Sequence, residues 1–209
     1  MNKNCANSWR ALTAKRFFDV MFSVLGLLAA LPLFLMIAFA IKLDSKGPVF
    51  FKHQRIGLNG IPFLMYKFRT MVASAASIGP GITYHEDTRI TALGQLLRKT
   101  KLDELPQMIN VWRGEMSFVG PRPEVPNYVK HYSPEQVHVL TAKPGITGPA
   151  QIEWRDEASY IRDVEKIDEV YVQQIMPKKL VLDLEYVKSP ISLMKDVQYI
   201  LTTVRTLLS

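Results

Sequence analysis

An uncharged apolar stretch over residues 20–41, interrupted near its middle by Pro32, limits what this chain can fold into more than any other feature. As a straight helix of about 22 residues, rising about 1.5 Å per residue, it would just cross a hydrocarbon core of roughly 30 Å. It starts late and is followed by Lys42 and Asp44 rather than a small-residue cleavage site, so it is expected to stay on the protein. Lys3, Arg10, Lys15 and Arg16 precede it, and Lys42, Lys46 and Lys52 follow it. Positive flanks mark the cytoplasmic side of a membrane, and a helix that crosses once cannot keep both there. Pro32 lacks an amide hydrogen and crowds the carbonyl of Leu28. The helix is therefore expected to open at that point and return to the face it entered. A proline-kinked spanning helix is the alternative.

Beyond the apolar stretch, 209 residues leave room for one well-packed domain, and no repeat, low-complexity run or linker divides it. The expectation is an α/β fold, helix-rich with a short sheet: a single cytosolic domain attached to an N-terminal re-entrant membrane helix. Residues 1–46 are expected to form the N-terminal segment, with the membrane helix at about 17–42, and 47–209 the cytosolic domain, closed by a C-terminal amphipathic helix. The formal charge of +7 favours an anionic partner, whether lipid head groups, a pyrophosphate or nucleic acid. Cys5 is the only cysteine, which excludes an intramolecular disulfide.

Residues 48–54 and 62–68 read as two strands of a hairpin around Asn59-Gly60, a pair that favours positive φ. Residues 74–81 read as a small-residue loop. Ile90, Leu93, Leu96 and Leu97 give residues 88–101 the period of an amphipathic helix, closed by Lys99 and Lys101. Residues 156–175 read as a charged amphipathic helix. From Pro190 a second apolar stripe has Lys195, Asp196 and Arg205 opposite it, suited to a membrane interface or to core packing.

Two short runs carry the chemistry. Asp103-Glu104 lies within about twenty residues of Arg122, which sits between Pro121 and Pro123. Carboxylates serve as nucleophiles or ligands of hard cations, and a guanidinium matches phosphate oxygens, so the combination points to phosphoryl transfer. The plain structural reading is that Asp103 caps the next helix, with Pro106 in its first turn and Ile109, Val111 and Trp112 supplying buried surface. Neighbouring side chains on a helix diverge by about 100°, so Asp103 and Glu104 need separate roles. His53, His85, His131 and His138 show no metal-ligand spacing, and packing or surface roles are expected for them.

Four runs in one order resemble the monotopic phosphoglycosyl transferases, a family of bacterial sugar transferases. They are Lys67-Phe68-Arg69-Thr70-Met71, Leu102 through Gln107, Gly120 through Pro123, and Lys143-Pro144-Gly145-Ile146-Thr147-Gly148, within a resemblance covering roughly residues 15–208. It implies transfer of a phosphosugar from a nucleotide diphosphate sugar, with uridine diphosphate as carrier, to polyprenol (undecaprenyl) phosphate. Asp103 would form an aspartyl phosphosugar, a nucleoside monophosphate would leave, and lipid-linked glycan synthesis would begin. Glu104 is the second catalytic residue by the same resemblance, and Lys67, Arg69, Arg98, Arg122 and Arg155 are the substrate-binding residues. Mg²⁺ is the implied cofactor, with Asp103 beside it. The implied location is the bacterial inner membrane, monotopic, facing the cytoplasm, with no nucleic acid bound.

The pattern is departed from at Leu31, where the family commonly has Ser before the proline, and at Glu153-Trp154, where a small residue and glycine often precede the arginine. Trp154 could stack on a base or sugar or pack as an ordinary aromatic. Two other functions fit the basic surface and acidic pair: a membrane-anchored nucleotide or nucleic-acid binding protein, and a metal-dependent phosphohydrolase.

Overall fold

The computed structural model describes residues 3–78, 83, 84, 86–156, 160 and 167–208. Its first element, α1 (Lys3–Asp44), is one helix of 42 residues with Pro32 inside it. The expected opening does not divide the helix. Pro32 removes one ladder donor, and packing on its C-terminal side holds the second arm. There Ile37 and Ile41 are buried with Phe68 and Leu97, flanked by Leu33 and Phe34.

The earlier part of α1 is fastened to the same domain. Arg16 donates to the carbonyl oxygens of Val111 at 2.6 Å and Trp112 at 2.8 Å. Asp19 accepts from the Ser117 hydroxyl at 3.1 Å and the Phe118 amide at 3.0 Å. Between these anchors Leu25, Leu28, Leu31, Leu35, Met36 and Phe39 are each more than half exposed. Such an apolar row needs a cover that the domain does not supply.

The hairpin forms as the sequence predicts. β1 (Phe50–Ile56) pairs antiparallel with β2 (Pro62–Phe68), Phe50 opposite Phe68 and Ile56 opposite Pro62. Asn59 and Gly60 turn the chain at φ 55 and 77. Phe63 and Met65 alternate inward to pack with Val111 and Met116. Part of the predicted loop takes a helical turn, α2 (Ala75–Ile78); residues 79–82 lie outside the described residues.

The amphipathic helix is α3 (Ala92–Lys99), shorter than expected because Thr91 caps it, its hydroxyl accepting from Gly94 N at 3.0 Å. A Cβ on Gly94 would stand 2.0 Å from the Thr70 carbonyl oxygen, so glycine sets how closely α3 approaches the end of β2. A 3₁₀ turn (Leu102–Glu104) then leads to α4 (Gln107–Arg113). Val111 is fully buried, but Trp112 is 53% exposed, contrary to its expected core role.

β3 (Ser117–Val119) runs parallel to β4 (Gly145–Thr147), with α5 (Pro126–Val129) between them in sequence. Gly120 and Gly145 cross so closely that a Cβ on Gly145 would lie 2.1 Å from Gly120 N, which explains glycines in both motif runs. α6 (Pro149–Glu153) follows, and α7 (Ile167–Val170) continues through a π turn (Tyr171–Ile175) into α8 (Met176–Lys188). Of the predicted 156–175 helix, residues 157–159 and 161–166 lie outside the described residues, and 167–175 are helical.

The last helix, α9 (Leu193–Leu208), leaves Met194, Leu201 and Val204 exposed. Asp196 does not face solvent as expected. It is 3% exposed and pairs with Lys15, whose ammonium also donates to the Val119 carbonyl at 3.0 Å. Tyr186 joins them, its hydroxyl 2.8 Å from Asp196 Oδ1. First and last helices are thereby tied to the strand that leads into the Gly120–Pro123 run.

Candidate active site

A cleft of about 930 Å³ opens between the hairpin, the 3₁₀ turn and the loops after β3 and β4, with Asp103 and Glu104 in its wall. The turn is entered through Lys101, a non-glycine residue at φ 55 and ψ 16. The left-handed region is costly for such a side chain, and it is tolerated where packing over-determines the backbone. Its effect is to start α4 at Pro106 and Gln107, so that Asp103 does not cap the helix. No side-chain hydrogen bond caps α4.

Asp103 is 6% exposed, and its Oδ1 is buried with no hydrogen-bond partner among the described residues. Burial pushes its carboxyl above the usual carboxylate range, and nearby Glu104 adds to this, while Lys67, Arg98 and Lys101 pull the other way. A buried carboxylate without an N–H or O–H donor is costly for folding alone. It is also what a nucleophile needs: lone pairs that no hydrogen bond ties down.

Glu104 is the opposite case. Burial would raise it, but Lys67, Arg122 and Lys101 outweigh that and hold it far below the ordinary glutamate range. Lys67 Nζ donates to its Oε1 at 2.7 Å, and Arg122 Nη2 stands 3.7 Å from the same oxygen. A carboxylate this firmly ionised orders the cations around it and does not deliver a proton. The two neighbours sit on a 3₁₀ turn rather than an α-helix, and both line the cleft.

Arg98, from the last turn of α3, donates through Nε to Thr70 and through Nη1 to Thr83, both at 2.8 Å. Both partners are neutral hydroxyls. Burial lowers its pKa, with Asp103 and Asp87 opposing. Among the described residues no carboxylate forms an ion pair with the guanidinium, which suits an incoming phosphate.

The structure brings Lys67, Arg98, Asp103, Glu104 and Arg122 together. Arg155 also lines the cleft but donates to the Thr206 carbonyl of α9. Arg69 is 7% exposed and donates to the Ser45 carbonyl at 2.7 Å and to that of Lys46, closing the end of α1. Trp154 lines the cleft, beside Tyr160 at 5.3 Å and under Lys178.

Sequence reasoning missed three features. Lys101 stands among the site cations, its pKa lowered by burial and by Arg122 and Lys67 while Glu104 opposes. His53 lines the cleft, its pKa lowered to about 4 by burial and by Arg55 and Lys67, so it is neutral at physiological pH. In the wall of the same cleft, buried Glu124 meets Lys179 at 3.2 Å, the Tyr171 hydroxyl, and Arg55 at 3.6 Å. Only the spacing of Glu124, two residues after Arg122, could have signalled this network.

Residues 10–209 match the family model described as bacterial sugar transferase. The chain belongs to the bacterial sugar transferase family. It is an enzyme, a phosphoglycosyl transferase. It is 43% identical over 176 residues to the exopolysaccharide production protein ExoY of Rhizobium meliloti, covering 77% of each chain. It is 38% identical over 200 residues to the UDP-glucose:undecaprenyl-phosphate glucose-1-phosphate transferase of Caulobacter vibrioides, covering 93% of this chain and 70% of that one. It is also 38% identical over 161 residues to the undecaprenyl-phosphate galactose phosphotransferase of Salmonella typhimurium, covering 70% of this chain and 34% of that longer protein.

Proposed function

We propose that this sugar transferase moves a phosphosugar from a UDP-sugar to undecaprenyl phosphate through a covalent intermediate on Asp103. The observation that carries the reading is a buried carboxylate with an unpartnered oxygen, in a cleft that also presents Lys67, Arg98, Lys101 and Arg122. Ten lysines and arginines against four carboxylates line the cleft among the described residues, an excess of positive charge complementary to a diphosphate. The names of the relatives supply the two substrates.

In the first step an Asp103 oxygen attacks the phosphorus that bears the sugar. The phosphorus bond to the bridging oxygen breaks, and UMP leaves with that electron pair. Arg98 and Arg122 bind the non-bridging oxygens on which charge is concentrated. In the second step the undecaprenyl phosphate oxygen attacks the same phosphorus, the bond to Asp103 breaks, and the carboxylate is restored with undecaprenyl diphosphosugar as product. Glu104 holds Lys67 and Arg122 in place throughout.

A magnesium ion fits the unpartnered Oδ1 of Asp103. No cluster of three or more His, Cys, Asp or Glu is found among the described residues, so the remaining ligands must be substrate phosphate and water, as is usual for this ion. When bound, it offsets the repulsion between an anionic nucleophile and an anionic diphosphate.

The reading includes a monotopic attachment on the cytoplasmic face of the inner membrane. It is supported by the contacts of Arg16, Asp19, Ile37 and Ile41 with one domain, and by the exposed apolar row between them. A helix fastened at both ends to one domain has both ends on that domain's side.

The test is incubation of the membrane-reconstituted protein with UDP-sugars, undecaprenyl phosphate and Mg²⁺, followed by chromatography. UMP accumulating in step with lipid diphosphosugar, and stopping with EDTA, is expected. UDP as the first nucleotide product overturns the reading, as does sugar phosphate released to water or binding without turnover.

A further inference from the structure

We propose that Asp183 is the positioning residue for Arg122, setting the guanidinium against the substrate phosphates from behind the cleft. In Pro121-Arg122-Pro123 the prolines have no amide hydrogen, so Arg122 N–H is the tripeptide's only backbone donor. It donates to Asp183 Oδ2 at 3.1 Å. Asp183 lies on α8, is 2% exposed and does not line the cleft.

Its neighbour one turn earlier, Lys179, meets Glu124 at 3.2 Å. One face of α8 therefore grips residues 122 and 124 of an extended loop, where alternate residues share a side. The other edge of the loop is held as well: Pro123 O accepts from Arg55 at 3.2 Å, and Glu124 O accepts from Ile56 N at 2.9 Å. With backbone fixed on both edges, the Arg122 side chain is left to reach Glu104 and the cleft. The residue before a proline is restricted to extended conformations, so a small rotation of the loop would re-aim the whole side chain.

A neutral acceptor would satisfy one amide. A carboxylate makes the stronger, charge-assisted bond, at the cost of burying a charge whose Oδ1 has no hydrogen-bond partner among the described residues. Burial raises the Asp183 carboxyl to about 7. The amides of Arg122 and Ala150 and the Lys179 ammonium favour its charged form, Glu124 opposes it, and Tyr132 also feels its charge. The bond to Arg122 thus strengthens as pH rises through neutrality.

The inference rests on Arg122 binding substrate phosphate in the proposed reaction; UMP release by the wild type checks that reading separately. Asp183→Ala should lower kcat by roughly 10- to 100-fold with KM for the UDP-sugar changed much less, because the phosphate group is misaimed rather than removed. Asp183→Asn keeps an acceptor, should fold, and should recover most of kcat while flattening the rise in rate through pH 7. Combining Asp183→Ala with Arg122→Ala should cost little more than Arg122→Ala alone. Fully multiplicative losses in the double variant, or an unaltered pH profile in Asp183→Asn, would overturn the proposal.

Discussion

Lys67 and Glu104 form a 2.7 Å ion pair across 37 residues of sequence, joining the hairpin's second strand to the turn that carries Asp103. Their side chains are 18% and 13% exposed, so the pair is largely withdrawn from water. The lysine expected to bind substrate is thereby engaged with the residue beside the proposed nucleophile. Its ammonium charge still reaches Asp103, on which it is the strongest influence after burial. The charge of Lys67 is thus directed at the two carboxylates of the turn.

Asp103→Asn should abolish the covalent phosphosugar adduct, read by mass spectrometry of enzyme incubated with UDP-sugar alone. The same substitution should stabilise the fold at neutral pH. Because burial raises the folded-state pKa of Asp103, its favourable contribution is complete below the unfolded value of 3.8 and is lost as pH rises through the folded value. Removing the charge at pH 7 relieves that cost and forfeits no cap, so a gain on the order of 1 kcal/mol is expected by denaturant titration. A destabilised variant would mean that Asp103 has a donor it keeps in solution.

Glu104→Gln should behave differently. The folded pKa is depressed, so its stabilising contribution is present above the unfolded value of 4.5 and is lost only as pH falls through the folded one. At pH 7 the glutamine variant leaves Lys67 and Arg122 without their shared anion, and a loss of about 2 to 4 kcal/mol is expected. Lys67→Met alone should cost a similar amount, and the double variant less than the two losses combined. Thermal unfolding of the four proteins closes this cycle; additive losses would show that the pair carries no coupling.

The hairpin and α3 were legible because local rules decide them: alternation and Asn59-Gly60 in one case, helical period in the other. The same kind of rule misread Asp103. Acidic residues before a helix usually cap it, and nothing local announces that Lys101 turns left-handed and displaces the helix start to Pro106. Trp112 and Asp196 were misplaced because their burial depends on which helix covers them, and the partner of Asp196 is Lys15, 181 residues away. Arg69 and Arg98 both line the cleft, yet one donates to carbonyls at the end of α1 and the other to two hydroxyls. Only tertiary packing separates them.

The topology of α1 can be checked in intact cells. With Cys5 replaced by serine, single cysteines at Asn7 and Ser45 should both resist a membrane-impermeant thiol reagent until the cells are lysed. Charge supports this from sequence, and the structure adds a second reason. Arg16 and Asp19 near one end, and Ile41 and Lys42 near the other, are each in contact with residues of the folded domain. Moving either end across the bilayer would tear those contacts and bury the charges of Arg16 and Asp19 in lipid, which is costly even by the mildest insertion scales, at about 3 kcal/mol per charge. Pro32→Leu restores the missing ladder donor, and it should leave labelling unchanged if the domain contacts set the topology. Labelling at one site alone in intact wild-type cells would establish a spanning helix, and labelling that appears only in Pro32→Leu would move the cause from the domain contacts to the proline.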